Sequence, residues 1–337
     1  MIPASIAPAP IETVYSCGPV ELLLTFEDPA LRDAMHGLLS QYDAPWPKSA
    51  ATVRAVIERG AMPAGTSEPS GTYLRSSRLR VDRHDTRLIS VGNVGVWMEF
   101  DMATGQSRIV APLHADWPAL VEEVEQQLVL LLARAWAQAG WTPLHAGSLI
   151  PPGETRCVLV CAPSGAGKTT LITALLRRGW RTLGDDKTLL RKEKNSVVAR
   201  ALARRFHLHP SSSRWFPDAG DLNAWPRYSR WTDKRVVRIE EAWPGRLLDC
   251  AVPAGVVQLE RIENGLVVEP LDGVNTLNTL LRQVAIPADA EHARPLVSCI
   301  AAIVANVNSA LIKIGNEAFA DPAAVGRLDE TLRRLLP

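Results

Sequence analysis

Residues 157–186, CVLVCAPSGAGKTTLITALLRRGWRTLGDD, constrain the fold more than any other stretch of the chain. Residues 157–161 are a short run of β-branched and small apolar side chains, suited to a buried strand. They run directly into APSGAGKT, residues 162–169, a P-loop pattern with Ala162 where its first Gly usually stands. Residues 170–178 are good helix formers with Leu171, Leu175 and Leu176 on one side, and Gly179 follows two arginines as a stop. Strand, loop and helix in that order predict an α/β unit built around a phosphate cradle.

The spacing has a physical cause, because Gly165 and Gly167 let the backbone turn its N–H groups inward with no Cβ in the way. Ser164, Gly165, Ala166, Gly167, Lys168, Thr169 and Thr170 then form the expected nucleotide-binding set. Lys168 reaches β and γ oxygens, the helix start adds partial positive charge, and the Thr169 hydroxyl is placed for a Mg²⁺ on the same phosphates. Such a loop specifies a nucleotide and not a reaction. Asp185 and Asp186 come 17 and 18 residues after Lys168, so a strand directly after the loop's helix would bring both carboxylates to the nucleotide. One of them can accept a proton from an attacking hydroxyl while the other holds the metal. Upstream, PLHAGSLIPPGE (143–154) puts His145 in or at the end of a strand whose turn leads into residues 157–161, which sets it near the phosphates.

Together, LHAGSL, APSGAGKT and GDD resemble the C-terminal kinase domain of the HPr kinase family, and more closely its smaller relatives found near peptide-modification clusters, including lasso-peptide kinases. The likeness covers roughly residues 140–315. It implies an α/β P-loop kinase domain of the HPr kinase and PEP carboxykinase type that uses ATP and Mg²⁺ to phosphorylate a serine hydroxyl. By the same resemblance Lys168 and Thr169 are the phosphate and metal groups, Asp185 is the base, Asp186 is a metal partner and His145 is a charge-stabilising neighbour. TDKRVVRI (232–239) is similar to a Lys-Arg strand of the smaller relatives, which makes Lys234 and Arg235 candidate contacts to nucleotide or γ-phosphate. The glycine-rich signature of true HPr kinases has RRFHLHPSSSRWFPD in its place, which speaks against the carrier protein HPr as acceptor.

Charge narrows the partners further. Lys plus Arg number 37 against 36 Asp plus Glu, and a net charge of +1 gives no whole-molecule field to hold nucleic acid or an acidic membrane. Phosphate recognition has to be local. With 47% hydrophobic and 22% charged residues in 337, the chain is composed like a globular protein of two domains. The five cysteines contain no CxxC pair and fit a reducing cytoplasm, and Cys157 and Cys161 read as core residues. The opening MIPASIAPAP lacks the basic and apolar regions of a secretory signal. Residues 296–314 are the most apolar stretch, but Asn306, Asn308 and Lys313 interrupt it. They predict a buried helix bearing Leu296, Ile300, Ile303, Val304, Val307 and Leu311 on one face, not a membrane span.

Residues 1–115 are expected to be an N-terminal α+β domain that recognises the acceptor, and 116–337 the P-loop kinase domain with its linking helix. Within the first, a strand at Val20–Phe26 precedes a helix capped by Asp28, with Pro29 in its first turn and Leu31, Met35, Leu38 and Leu39 inward. Residues 61–71 read as a turn-rich linker, and 77–81, 86–91, 94–101 and 107–110 as antiparallel strands. Residues 117–139 repeat apolar side chains at three and four, the mark of an amphipathic helix. Residues 200–238 hold nine Lys or Arg against three Asp, and with Trp215, Trp225, Trp231, Trp243 and interleaved prolines they predict ordered loops, leaning toward a binding lid. His207 and His209 lack a third ligand at metal spacing and read as structural.

The reaction expected is ATP plus an alcohol giving ADP and a phosphate ester, with a serine of a peptide or small protein as acceptor. A small-molecule alcohol kinase and a non-catalytic nucleotide-dependent regulator are the alternatives. Members of the family are often homo-oligomers, and the resemblance carries that expectation here.

Overall fold

A computed structural model of the chain describes residues 9–42, 44–46, 51–63, 71–75, 79–194, 196–229, 232–284, 286 and 290–336, with 71–75 and 229 as backbone only. Contacts divide the chain after Ala139, with Gln41–Pro45 counted in the second unit.

The first unit holds β1 (Ile11–Cys17), β2 (Val20–Phe26), α1 (Pro29–Leu39), β3 (Ala51–Arg59), β4 (Gly71–Arg75), β5 (Leu79–His84), β6 (Arg87–Gly92), β7 (Trp97–Asp101), β8 (Gln106–Ala111) and α2 (Trp117–Gln138). One eight-stranded sheet runs β1-β2-β3-β8-β7-β6-β5-β4. Alternation builds it: Val20, Leu22, Leu24 and Phe26 of β2 and Val53, Ala55 and Ile57 of β3 are buried on the helical side. Asp28 caps α1 through the N–H groups of Ala30 and Leu31, and Leu31, Met35, Leu38 and Leu39 are buried as the periodicity predicts. The expected strands of residues 79–111 are antiparallel neighbours, whereas β2–β3 and β3–β8 pair in parallel. Residues 64–70 of the expected linker, and Ser77, lie outside the described residues. The helix expected to link the domains packs on β2, β3, β8 and α1, so by contacts α2 is part of the first unit and the division falls later than residue 115.

The second unit holds β9 (Thr142–Leu144), β10 (Ala146–Leu149), β11 (Arg156–Cys161), α3 (Lys168–Leu176), β12 (Thr188–Lys192), β13 (Val197–Ala201), β14 (Arg205–Leu208), β15 (Arg227–Ser229), β16 (Thr232–Arg238), α4 (Ile239–Ala242), β17 (Cys250–Arg261), β18 (Leu266–Pro270), α5 (Gly273–Leu281), α6 (Ala290–Val304), β19 (Asn308–Ile314) and α7 (Pro322–Arg334). This is a mixed α/β architecture with several sheets. The long strand β17 joins two of them: it lies parallel to β11 and β19, and its first residues pair with β13 of the β13-β12-β9 ladder. Val257 and Leu259 are buried with α3 and α7, while Gln258 between them accepts from Thr279 of α5, so helices cover both faces of β17.

Two expectations change here. Residues 296–314 are not one helix: α6 stops at Val304, the N–H of Asn306 donates to the Ile303 carbonyl, and Leu311 lies on β19. Asn306 and Asn308 mark that turn, and SALIKI after it alternates as a strand. Residues 205–238 contain a small β14-β16-β15 sheet with three 3₁₀ turns, more order than loops alone. Among the described residues no helix is long and apolar enough to cross a membrane.

Candidate functional site

The loop between β11 and α3 has the backbone its glycines predict. Gly165 and Gly167 take φ of 80° and 100°, the left-handed region, and Gly167 caps α3 with its carbonyl accepting from Leu171. Ala162 and Ala166 are buried in the core, so the methyl of Ala162 turns inward, while Ser164 and Gly165 are exposed and Thr170 is half-buried. Lys168 and Thr169 open the helix.

His145 stands at the corner where the chain leaves β9 in one ladder and enters β10 in the other. Residues 181–187 run beside β10 without forming the regular strand expected of them; Arg181 and Thr182 make only single bridges, to Ile150 and Leu247. Side chains fix this segment instead. The Thr182 hydroxyl donates to the Ser148 carbonyl at 2.7 Å, Leu183 N–H donates to Ser148 Oγ at 2.8 Å, and Ser148 N–H donates to the Gly184 carbonyl at 3.0 Å. Two glycines outside the loop permit the approach. A Cβ at Gly147 would meet the Asp185 carbonyl at 2.7 Å, and one at Gly184 the Ala203 carbonyl at 2.6 Å. The small residues in HAGS and LGDD are the sequence signal for this contact.

The result is one polar cluster. Thr169 Oγ1 donates to Asp185 Oδ2 at 2.6 Å. Lys168 Nζ donates to Asp186 Oδ1 at 3.1 Å, and His145 Nε2 donates to the same oxygen at 2.7 Å. Asp185 and Lys168 are buried, and the Asp186 side chain keeps 43% of its surface. Burial and the neighbouring Asp186 charge push the Asp185 carboxyl up to about 6, against the Thr169 hydrogen bond and the Lys168 charge. Burial would also raise Asp186, but the His145 hydrogen bond and the Lys168 and Lys187 charges hold it well below the ordinary carboxylate range. The five motif residues Lys168, Thr169, Asp185, Asp186 and His145 therefore meet in space.

Lys234 and Arg235 do not share a direction. In the β14–β16 register Val236 faces His207 and Val237 faces Phe206, so Lys234 lies on the His207 side and Arg235 on the side of buried Phe206 and Val237. The His207 ring stacks on Tyr228 at 3.9 Å between centroids. Burial pushes its pKa down to about 4; the Asp186 charge opposes, and the Lys234, Lys187 and Arg205 charges add to the fall. The His207 side of this small sheet thus belongs to the electrostatic surroundings of Asp186, which sequence reading missed along with Lys187. The basic residue directly after GDD was the available signal. Trp215, Trp225 and Trp243 pack against the core, with the indoles of Trp225 and Trp243 donating to the Ala219 carbonyl and Asp218; Trp231 lies outside the described residues. Burial pushes the Cys157 and Cys161 thiols up to about 12, which leaves both unreactive in the core.

No protein-family model matches the chain, and no curated protein matches it. Among solved structures, the HPr(Ser) kinase/phosphatase from Coxiella burnetii aligns with 57% of this chain and 94% of that chain, at 13% identity and a TM-score of 0.32. At that level of likeness the chemistry has to be carried by the chain's own contacts.

Proposed function

We propose that this chain is a P-loop phosphotransferase that moves the γ-phosphoryl group of ATP to a hydroxyl acceptor. The single observation that carries the reading is the meeting of Thr169 with Asp185, and of Lys168 and His145 with Asp186, at the start of α3. A left-handed Gly-rich loop at a helix N-terminus is built to receive phosphate oxygens, and Gly165 has nothing within 4 Å of where a Cβ would stand. The Thr169 hydroxyl and the Asp185 carboxylate are hard oxygen donors that fit Mg²⁺, which commonly takes one or two protein oxygens and fills its shell with phosphate and water. Among the described residues no group of three or more His, Cys, Asp or Glu is placed to hold a metal ion. When bound, Mg²⁺ supplies charge neutralisation on the β and γ oxygens.

In this reading the two aspartates take roles opposite to those the family resemblance implies. Asp185 touches the hydroxyl that would hold metal, so it belongs with Thr169 as a ligand. Asp186, half-exposed and paired with His145, is the group proposed to take the acceptor proton, with His145 orienting it. Lys168 keeps the leaving phosphates in place, and catalysis is mainly positioning and charge stabilisation. The acceptor is a hydroxyl compound, proposed to be a serine of a peptide or small protein.

Calorimetry of ATP binding tests the reading at its base. The wild type is expected to bind ATP more tightly with Mg²⁺ than without, and Lys168→Ala to weaken binding by about tenfold or more. A Lys168→Ala chain that binds ATP as the wild type does would overturn the site.

A further inference from the structure

The strands β11, β17 and β19 are parallel, so their carboxyl ends lie along one edge, the edge at which open α/β sheets bind ligands. The P-loop leaves β11 there. On one flank of β11 stands β10, with His145 before it and Asp185 against its Gly147. On the other flank come β17 and then β19, which ends at Ile314 and passes through Gly315 into a 3₁₀ turn, Asn316–Phe319. That turn comes back to the P-loop: a Cβ built at Gly167 would lie 3.8 Å from Cε2 and Cζ of Phe319. Side chains three apart eclipse in a 3₁₀ turn, so Asn316 shares the side of the turn that carries Phe319. The Phe319 ring in turn lies 6.2 Å from the Trp215 ring, centroid to centroid. Trp215 is held by its carbonyl, which accepts from Arg177 Nη1 at 2.7 Å just beyond α3. Phe319 is buried, Trp215 and Asn316 are half-buried, and exposed Arg214 lies over the Trp215 ring at 4.5 Å.

We propose that Trp215, Phe319 and Asn316 form the subsite for the purine base of the nucleotide, on the flank of the P-loop marked by β19. The proposal rests on the phosphotransferase reading and deepens it. A triphosphate whose γ end meets Asp186 and His145 on the β10 flank carries its base at the far end, toward the opposite flank. Each residue type suits its part. The two aromatic rings supply apolar surface on which a planar base packs. The Asn316 side chain holds a donor and an acceptor at fixed spacing, the pair that matches N7 and the amino group of adenine. Arg214 does not block the ring, because a guanidinium over an indole at an exposed site is held weakly and a stacked base takes its place. The subsite gives Trp215, from the basic stretch that sequence reading marked for binding, a specific ligand.

The test is calorimetry of the full chain with Mg²⁺ and two ligands, ATP and methyl triphosphate, which keeps the three phosphates and has no base. The wild type is expected to bind ATP about tenfold or more tighter than methyl triphosphate. Trp215→Ala is expected to remove most of that difference, with methyl triphosphate binding within about twofold of wild type. Retained methyl triphosphate binding also reports that the variant is folded. Trp215→Phe, which keeps a ring, is expected to recover part of the difference. Asn316→Ala is expected to lower the preference for ATP over inosine triphosphate, which presents an acceptor in place of the amino donor, about threefold or more. An unchanged preference there overturns the part given to Asn316. Losses of the same size for both ligands in Trp215→Ala and Trp215→Phe, or no loss in either variant, overturn the base subsite. A wild type that binds ATP and methyl triphosphate equally overturns it too and leaves the P-loop as a phosphate site, whereas one that binds neither overturns both readings.

Discussion

One oxygen, Asp186 Oδ1, receives both Lys168 and His145, and the proposed division of chemistry between the two aspartates rests on this shared contact. In the free site Asp185 has the higher pKa of the pair, which by itself would name it the base. On the proposed reading, bound nucleotide would draw Lys168 from Asp186 to phosphate oxygens and a cation held by Thr169 and Asp185 would pull the Asp185 carboxyl down, which would reverse the order. Asp186→Asn is accordingly expected to cut turnover about 100-fold or more with Mg²⁺-dependent ATP binding kept. Asp185→Asn is expected to raise the Mg²⁺ needed for half-maximal ATP binding about tenfold, read by the same titration. The opposite pattern would return the base to Asp185. That Lys168, Thr169, Asp185, Asp186 and His145 converge was legible in the sequence, since each sits at a fixed distance from the strand–loop–helix signature. The side-chain partners of the two aspartates were not, because neighbouring residues of an irregular segment point where tertiary contacts send them. Lys234 and Arg235 show the complementary case: once β16 is known to be a strand, its alternation separates them.

At the scale of elements, the site depends on residues 181–187 lying against β10, and Gly147 is the point of closest approach. Gly147→Ala would put a methyl 2.7 Å from the Asp185 carbonyl and 2.3 Å from Ile172 Cδ1. It is expected to lose turnover about tenfold or more and about 1–3 kcal/mol of stability, measured by kinetics and denaturant melts. Gly326→Ala in α7 is the contrast: nothing lies within 4 Å of its Cβ position, so it should stabilise by about 0.5–1 kcal/mol. Wild-type turnover in Gly147→Ala would remove this packing from the account. A second element contact ties α7 to the end of α3. Asp329 accepts from Arg333 Nε at 2.6 Å, Trp180 Nε1 at 3.0 Å and Arg178 Nε at 3.1 Å. Burial would raise its carboxyl, but these bonds outweigh it and hold the group below its ordinary value. A folded value below the unfolded one means the stabilisation is complete above about pH 4 and is lost as pH falls through the folded value. Asp329→Asn is thus expected to flatten the acid limb of the stability profile, followed by urea midpoints against pH, and an unaltered limb would contradict it. Periodicity located α1 and α2 and the strands of residues 79–111. It ran α6 into β19 because Val307 and Leu311 happen to continue the helical spacing, and only pairing with β17 and β18 makes 308–314 a strand.

For the whole molecule, a net charge of +1 conceals local asymmetry: Lys168 acts on Asp185, Lys168 and Lys187 act on Asp186, and Lys187, Lys234 and Arg205 act on His207. On the proposed reading, such a centre suits a compact anionic nucleotide. The two-unit organisation was legible from the change of pattern around the amphipathic helix. Its boundary was not, since an apolar stripe on α2 says that the helix is covered and leaves open which sheet covers it. The parallel pairing of β2, β3 and β8 escaped for a related reason, because alternation gives the buried face of a strand and leaves its neighbours unspecified. The central claim is transfer of the γ-phosphoryl group to a hydroxyl. The most direct measurement is mass spectrometry of peptide and metabolite pools after incubation with the chain, Mg²⁺ and γ-¹⁸O-labelled ATP. A labelled phosphate ester that is absent when Asp186→Asn replaces the wild type is the predicted result. ATP bound tightly, with label found only in ATP or in free phosphate across both pools, would contradict it.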